Sequence, residues 1–442
     1  MRYLPHTDGD IVRMLTAIGI SSIDELFTTI PEPLRMQGDL NLPEPMDEAY
    51  LRRHMSDLAD QAPAGSCFAG GGAYRHYIPA AIDHIVRRNE FYTAYTPYQP
   101  EISQGTLQAI FEFQTMITRL LALDVANASM YDGASATAEA VLMAMRTTKL
   151  KRVLLSAALH PQYQETIATY AKWAGAEFVT VPVNAEGRTD FAALKKALNN
   201  QTAAVVVQSP NYLGVIEDTR VLGRFLARHK AKFVHVFTEP LAFGKLVPPG
   251  ACGADIACGE GQSLGIPLSF GGPGLGILAT RLVDVRQMPG RLVGETVDAE
   301  GKRAFCLTLS TREQHIRREK ATSNICTNHG LMALSAAVYM ALMGREGLFQ
   351  LAKLNRAKTE YMKSKLAEVA ELPLTGPTFN EFVWKPRQPA EEVLQALAKA
   401  KFIGGVALNG AAPGLENAIL TCVTELCSRK EIDRYVEVVR AL

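Results

Sequence analysis

Small and hydroxyl-bearing residues open an alanine-rich stretch in the first third of the chain. The run Asp132-Gly-Ala-Ser-Ala-Thr137 comes directly before residues 138–146, whose composition predicts a helix. Backbone N–H groups at a helix N-terminus can bind an anion, and small side chains let it approach closely. The alternative is a helix N-terminus that only packs tightly. The predicted phosphate cup consists of Asp132, Gly133, Ser135 and Thr137.

A second polar segment precedes the cup and carries hydroxyl and amide groups. It runs Tyr95-Thr-Pro-Tyr-Gln-Pro-Glu101 and continues to Ser103 and Gln104. Two prolines stiffen its backbone, and a rigid polar loop suits the positioning of a reacting group.

Histidine is the usual proton carrier near neutral pH. We nevertheless interpret His76, His84 and His160 as hydrogen-bonded packing groups, and predict none of them as catalytic.

The composition is that of a globular enzyme. Of 442 residues, 48% are hydrophobic and 21% charged, and a chain of this length predicts more than one lobe. The formal net charge of +1 argues against a nucleic-acid binder, or a protein held at a membrane by bulk charge. Neither a signal peptide nor an apolar run of roughly 20 residues is visible. We therefore expect a cytoplasmic protein, or one of an organelle matrix.

The cysteines predict no disulfide framework. Seven of them are widely scattered along the chain, and an odd, scattered set favours reduced thiols. Cys422 and Cys427, with Glu416 and Glu425 nearby, are the pair that could be considered as metal ligands. We interpret both as small buried hydrophobic residues and predict no metal site.

Strand-like and helical patterns alternate from about residue 120. Strands that are apolar along their whole length and alternate with helices indicate a mostly parallel sheet covered on both faces. The predicted strands are residues 152–156, 178–183, 203–208 and 233–237, and the predicted helices between them are residues 162–174, 190–198 and 218–229.

Three domains are predicted from these patterns. Residues 1–65 form a helical arm that wraps a larger body or a partner, with helix starts at Asp10 and at the capping box Ser22-Ile-Asp-Glu25. Residues 66–325 form a large α/β domain. Residues 326–442 form a smaller α+β domain that begins with long helices at about 328–343 and 348–367.

The order of features resembles the large domain of fold-type I pyridoxal-phosphate enzymes, with a mostly parallel seven-stranded sheet. After the cup come Ser209-Pro-Asn211, the acidic strand end at Glu239 and the glycine-rich residues 270–276. In that family, an acid on the penultimate strand holds the pyridine nitrogen and a later lysine forms the Schiff base. Here a glutamate replaces the expected aspartate.

The Schiff-base lysine is absent from its expected place. After Lys245 the next lysine is Lys302, and the intervening stretch includes Gly259-Glu-Gly-Gln-Ser-Leu-Gly265. Lys245 follows Glu239 too closely to fit the order. No amine in this stretch can take the covalent role, so the sequence predicts a cofactor fold without its anchor.

Four long segments are very similar to the signature of the glycine cleavage system P-protein family. They occur in the order of the family and include Tyr92-Thr-Ala-Tyr-Thr-Pro-Tyr-Gln-Pro-Glu-Ile-Ser-Gln-Gly105. The others are residues 126–133, 259–273 and 307–327. The sequence is identified as a member of this family. Its length and missing lysine place it with the lysine-lacking half, often called subunit 1.

The resemblance implies a reaction and its partners. Pyridoxal phosphate on the partner, subunit 2, serves as the electron sink while glycine is decarboxylated and CO2 leaves. The aminomethyl group passes to the lipoyl arm of H-protein, and an α2β2 heterotetramer is the family expectation. This chain alone is expected to be inactive and to bind no cofactor covalently. Two alternatives stay open: a free-standing pyridoxal-phosphate decarboxylase or aminotransferase, and a non-catalytic structural subunit.

Active sites of this fold lie between subunits, which gives two segments a role by resemblance. The polar loop, residues 95–104, is expected to complete the partner's active site. The alternative is that its side chains only seal the subunit interface. The charged residues 312–320 predict a docking site for an acidic H-protein, or else a helix with pairs such as Glu313 with Arg317. The docking candidates are Arg312, Arg317 and Arg318. The candidates that complete the partner's site are Tyr95, Thr96, Tyr98, Gln99, Glu101, Ser103 and Gln104.

Overall fold

The computed structural model describes residues 5–62, 65–408 and 414–442. The chain divides into two compact units, residues 1–62 and 63–442. The predicted boundary between residues 325 and 326 falls inside the second unit and stays a prediction. Residues 1–4 and 63–64 of the predicted arm lie outside the described residues. Within the described ranges, no helix is both long and apolar enough to cross a membrane.

Residues 5–62 of the first unit contain two α-helices, α1 (Asp8–Ile18) and α2 (Glu48–Asp60). The prediction that Asp10 caps α1 is wrong: Thr7 is the cap, and Asp10 accepts a hydrogen bond from the Thr7 N–H in return. Both residues belong to one capping box, so the sequence pattern marked its second member instead of its first. The capping box predicted at Ser22 and Glu25 is present before a 3-10 helix.

The described residues of the second unit, 65–408 and 414–442, contain fourteen strands and eleven further α-helices. The strands are β1 (Ser66–Cys67), β2 (Val125–Ala126), β3 (Arg152–Ser156), β4 (Glu177–Val181), β5 (Thr202–Gln208), β6 (Lys232–Phe237), β7 (Ile256–Glu260), β8 (Gly276–Thr280), β9 (Leu292–Val297), β10 (Arg303–Thr308), β11 (Glu381–Trp384), β12 (Phe402–Ile403), β13 (Val406–Ala407) and β14 (Ile419–Cys422). The helices are α3 (Ala80–Val86), α4 (Asn89–Tyr92), α5 (Gln104–Leu121), α6 (Gly133–Thr148), α7 (Pro161–Ala171), α8 (Phe191–Ala197), α9 (Thr219–Leu226), α10 (Gln314–Arg317), α11 (Gly330–Leu366), α12 (Ala390–Lys399) and α13 (Arg429–Arg440).

The central sheet has the strand order β2-β8-β7-β6-β5-β3-β4. Strands β3 to β7 are parallel, while β8 runs antiparallel to β7, and β2 antiparallel to β8. All four predicted strands are confirmed. Because the five parallel strands point the same way, their carboxyl ends meet at one edge of the sheet, where ligands bind in open α/β folds.

Both faces of the sheet are covered, as side-chain alternation along the strands requires. On one face, Val153, Val206 and Val234 pack with side chains of α6 and α7. On the other face, Phe237 and Ala257 pack with α5 and the first half of α11. The central position of β5 and β6 explains why both are buried along nearly their whole length.

The C-terminal lobe is built on the antiparallel sheet β11-β14-β13. Its core contains Trp384 and Tyr435, together with Phe68 from just after β1. Strand β1 pairs with β12, which ties the start of the second unit to this lobe. Helix α11 joins the two predicted helices, with a non-helical backbone at Gly344 (φ 58°) between them.

Candidate functional site

A glycine-rich segment, residues 70–76, crosses the carboxyl edge of the parallel strands. The Tyr74 N–H donates to the side-chain oxygen of Gln262 at 2.9 Å. The Tyr74 hydroxyl lies 2.9 Å from Thr238 Oγ1 and donates to Glu381 Oε2 at 2.7 Å. The Gly71 N–H donates to Glu381 Oε1 at 2.6 Å. Residues 70–76, the glycine segment from here on, are thus fixed between the sheet and the C-terminal lobe.

His160, the N-cap residue of α7, meets the glycine segment just beyond the end of β3. Its Nδ1 accepts from the Gln162 N–H at 3.2 Å, so Nε2 carries the proton and donates to the Gly71 carbonyl at 2.7 Å. A methyl group on Gly72 would lie 2.9 Å from His160 Nε2, and Gly72 has φ +103°. Only glycine suits this position, because both its conformation and the nearby ring exclude a side chain. Burial lowers the pKa of His160, and the Gly71 bond partly opposes that effect.

Glu239, at the end of β6, is paired with a histidine of the glycine segment. His76 Nε2 lies 2.9 Å from Glu239, and His76 Nδ1 lies 2.8 Å from Glu425. Asn380 donates a further hydrogen bond to Glu239 at 3.1 Å. Burial lowers the pKa of His76, but the two carboxylates outweigh burial and raise it to about 10. His76 is thus a buried cation rather than a neutral packing group, while His84 is exposed.

Glu381 ties the C-terminal lobe to this edge. Burial raises the pKa of its carboxyl to about 7, and the nearby charge of Glu239 acts in the same direction. The hydrogen bonds from Gly71 and Tyr74 oppose that rise. The glycine segment therefore contacts a group that titrates near neutral pH.

The predicted phosphate cup is filled by a carboxylate of the chain itself. Glu260, the last residue of β7, accepts the Gly133 N–H at 2.9 Å on Oε2. Its Oε1 accepts three more N–H groups, those of Gly261, Gln262 and Leu275 at 3.1, 3.0 and 2.8 Å. Burial raises the pKa of Glu260, although these backbone donors oppose that rise.

The other predicted cup residues are used within α6. Asp132 is its N-cap and accepts the Ser135 N–H at 2.8 Å. The Ser135 hydroxyl donates to the Asp132 carbonyl, and the Thr137 hydroxyl donates to the Gly133 carbonyl at 2.7 Å. The structure thus brings the four residues together at one helix N-terminus, as expected, but directs their polar groups to the helix itself.

These residues do not fit pyridoxal phosphate. The cup holds a carboxylate where a phosphate would bind, and the acid Glu239 is bonded to His76. The Gly71 and Gly72 backbone lies against His160. Gln262, in the stretch expected to hold the lysine, binds the Tyr74 N–H and the Ile266 carbonyl. The polar groups named at this edge are therefore already hydrogen-bonded within the chain.

The polar loop lies elsewhere, on the surface, and an arginine holds it in place. Arg291 is 3% exposed and donates to the Tyr98 hydroxyl at 2.7 Å and to the Cys326 carbonyl at 2.5 Å. A weaker contact of 3.4 Å joins it to the Thr96 hydroxyl. Its charge is paired with buried Glu313 at 3.3 Å. A buried ion pair therefore fixes two of the predicted site residues.

The remaining loop candidates divide into exposed and internal groups. Tyr95 is 81% exposed, and Gln99 and Glu101 are exposed as well. Gln104 is used internally: its amide donates to the Phe305 carbonyl and accepts the Phe305 N–H, both at 2.9 Å. Ser103 is half-buried at the start of α5. Gln104 therefore fixes the loop to β10 and is not free to reach a partner.

A cavity of about 290 Å³ lies beside this loop. Tyr95, Thr96 and Pro97 form one side, and α5 and the start of α11 form the other. The exposed candidates of the polar loop therefore lie close to this cavity on the described surface.

The charged residues 312–320 do not form one solvated helix. They are divided among a 3-10 turn, the short α10 and a second 3-10 turn. Arg312 is buried and donates to the carbonyls of Met288, Gly290 and Leu309, so it is not available for docking. Arg317 and Arg318 are exposed. Glu313 pairs with Arg291, so the alternative of an i,i+4 pair with Arg317 is wrong.

Four residues of these sites carry no prediction from the sequence: Glu260, Arg291, Tyr74 and Glu381. The run Gly70-Gly-Gly72 beside the buried Phe68 was a signal for close backbone packing. Glu260 lies within the lysine-free stretch and within the family-like segment 259–273, but neither pattern indicates a role for its side chain. Arg291 is far from residues 95–98 in sequence and carried no local signal.

The seven cysteines, all described, are free, and Cys422 and Cys427 are buried as predicted.

Comparison with known proteins identifies the family. The family model of the glycine cleavage system P-protein matches residues 1–439. A Desulfotalea psychrophila protein, described as probable glycine dehydrogenase (decarboxylating) subunit 1, is 47% identical over 100% of this chain and 98% of its own length. The crystal structure of glycine decarboxylase (P-protein) of the glycine cleavage system, in inhibitor-bound form, matches with a TM-score of 0.91 and 43% identity over 100% of both chains.

A more distant structure shares the fold alone. It is a C-DES mutant with glycine covalently linked to the PLP cofactor, and it matches with a TM-score of 0.63 and 15% identity over 88% of this chain and 98% of its own. The predicted α/β fold, like that of fold-type I pyridoxal-phosphate enzymes, is confirmed. The chain belongs to the glycine cleavage system P-protein family.

Proposed function

We propose that this chain, assembled with a second P-protein subunit, decarboxylates glycine, releases CO2 and passes the aminomethyl group to the lipoyl arm of H-protein. The full-length similarity to glycine decarboxylase supports this assignment. Pyridoxal phosphate, the electron sink of the reaction, is assigned to the partner subunit. The observation that carries this division is the carboxyl edge of the sheet, which has no Schiff-base lysine and is filled by the chain's own groups.

The contribution of this chain to the reaction is assigned to the polar loop. Tyr95 and Tyr98 are exposed side chains, and the buried Arg291, paired with Glu313, donates hydrogen bonds to the hydroxyls of Tyr98 and Thr96. A loop with one fixed conformation can orient a substrate group with little entropy cost at the moment of reaction. In this proposal Tyr98, Thr96 and Tyr95 extend into the partner's active site, with Gln99 and Glu101 at its rim.

H-protein is proposed to dock at Arg317 and Arg318. Both side chains are exposed and follow Glu313, which contacts Arg291 under the polar loop. Docking there would deliver the lipoyl arm near the same loop. An acidic partner would gain on-rate and orientation from this positive pair. The assembly is proposed as an α2β2 heterotetramer in the cytoplasm.

The assignment is tested by the absorption spectrum of the chain after incubation with pyridoxal phosphate and desalting. We expect no cofactor band from this chain alone. After co-purification with the partner subunit, we expect a band and glycine-dependent CO2 release that needs both chains. A borohydride-reducible band in this chain alone would instead support a free-standing pyridoxal-phosphate enzyme. Light scattering of the mixture tests the proposed stoichiometry.

A further inference from the structure

We propose that this chain carries its own ligands in the cofactor site: the Glu260 carboxylate replaces the phosphate, and the glycine segment replaces the ring. The site then excludes phosphorylated cofactors, and removal of the Glu260 carboxylate leaves a site for inorganic phosphate. This inference uses the proposed function only to say where a cofactor would lie in the fold.

Glu260 satisfies the donors that an anion would need. One of its oxygens accepts the first N–H of the sixteen-residue helix α6, from Gly133 at 2.9 Å. The other accepts three N–H groups of the strand ends between 2.8 and 3.1 Å. Four converging backbone N–H groups, one of them at a helix N-terminus, are the arrangement that binds a phosphate. Here a covalently attached carboxylate already uses all four.

Charge excludes a second anion while the Glu260 carboxylate is in place. The side chain of Asp132 caps the same helix, and its charge contributes to the raised pKa of Glu260. A phosphate would thus meet two carboxylates in a buried site, where repulsion between like charges is strong.

The ring end of the site is closed by the glycine segment. The Gly71 carbonyl and the Gly72 backbone lie against the imidazole of His160. Glu239 is held at 2.9 Å from His76, which supplies the positive charge that this buried acid needs. Since each group is fixed by further hydrogen bonds, entry of a ring would break several contacts at once.

The test measures thermal unfolding of the full chain in phosphate and in chloride of matched ionic strength. We expect the wild-type melting temperature to show no phosphate-specific change. Glu260→Ala should melt at a lower temperature in chloride, because four buried N–H groups lose their acceptor. Phosphate should then restore part of that loss in a saturable way.

Glu217→Ala is the matched control. Glu217 is another buried carboxylate at this edge and accepts the Thr189 N–H at 3.0 Å and the Asn211 amide at 2.9 Å. It does not lie at the N-terminus of α6. We expect this variant to lose stability without a phosphate-specific recovery. Equal responses of the Glu260 and Glu217 variants to phosphate would overturn the proposal.

A second measurement keeps the proposal testable if Glu260→Ala does not fold. Equilibrium dialysis of the wild-type chain with pyridoxine 5′-phosphate, which has no aldehyde to react with surface lysines, should show no binding. Saturable binding would overturn the proposal. Neither thermal unfolding nor dialysis depends on glycine decarboxylation by the two-subunit mixture. Failure of this proposal can therefore be distinguished from failure of the proposed function.

Discussion

The guanidinium of buried Arg291 lies under the ring of Tyr98, 5.1 Å from its centre, and donates to its hydroxyl at 2.7 Å. Tyr98 itself is 46% exposed. An exposed aromatic side chain is thereby held in one orientation by a buried cation, whose charge is in turn paired with Glu313. This relationship distinguishes Tyr98 from an ordinary surface tyrosine and motivates the first two predictions.

Removal of the Tyr98 hydroxyl should reduce turnover of the assembled two-subunit complex. The bond from Arg291 holds the ring in one orientation, and misplacement of a positioning group by about 1 Å can cost on the order of 100-fold in rate, so we expect Tyr98→Phe to lower kcat roughly tenfold or more. Assembly, measured by size-exclusion chromatography, should not change. Tyr92→Phe, at another exposed tyrosine of this region, is the control. If Tyr98→Phe and Thr96→Ala both leave turnover unchanged, the loop only seals the interface.

Breaking the Arg291–Glu313 pair should destabilise the fold. Both side chains are buried, and loss of one partner leaves the other charge uncompensated. We expect Glu313→Gln to lower the free energy of unfolding by about 3 kcal/mol in urea titrations. Exposed Arg317→Gln should change it by less than about 0.5 kcal/mol. Similar values for the two variants would contradict the structural role of the pair.

Charge reversal at the surface arginine tests the docking site. Arg317→Glu should weaken the binding of lipoylated H-protein and slow its association, most clearly at low ionic strength. Surface plasmon resonance on the assembled complex measures both effects. Arg220→Glu, an exposed arginine on α9, controls for net charge. Unchanged affinity for the Arg317 variant would exclude docking there.

The pH dependence of stability should change when Glu381 is replaced. Its pKa is raised from 4.5 to about 7 in the folded chain, so the protonated form is the one that folding favours. Its contribution is complete below the unfolded value and is lost as pH rises toward about 7. Glu381→Gln mimics the protonated acid and lacks this loss.

The measurement is the free energy of unfolding of both proteins at about pH 5.5 and about pH 8. Relative to the variant, the wild-type chain should lose about 2 kcal/mol over this range. His76, whose pKa is raised from 6.5 to about 10, also loses stabilisation as the pH rises above 6.5, but both proteins contain it, so its contribution cancels in their difference. A difference between the two proteins that is independent of pH would show that Glu381 does not titrate in this window.

Several features of the chain were determined by local sequence alone. The strands β3, β5 and β6 are runs of mostly apolar residues that are buried along nearly their whole length, as expected for inner strands of a parallel sheet covered on both faces. The capping box at Ser22 and the cap at Asp132 use neighbours three residues apart. The absence of a lysine between Lys245 and Lys302 can be seen in the sequence alone, without the structure.

Only the tertiary structure decided what fills the carboxyl edge and what supports the polar loop. Glu260 reaches Gly133 across 127 positions, and Arg291 reaches Tyr98 across 193. Such pairs have no fixed spacing, because they are set by strand order and by the packing of the C-terminal lobe. Arg312 shows the same limit: its type and neighbours predict a surface cation, yet three backbone carbonyls hold it inside. Local pattern determines the elements, whereas long-range contacts determine which polar groups remain available for function.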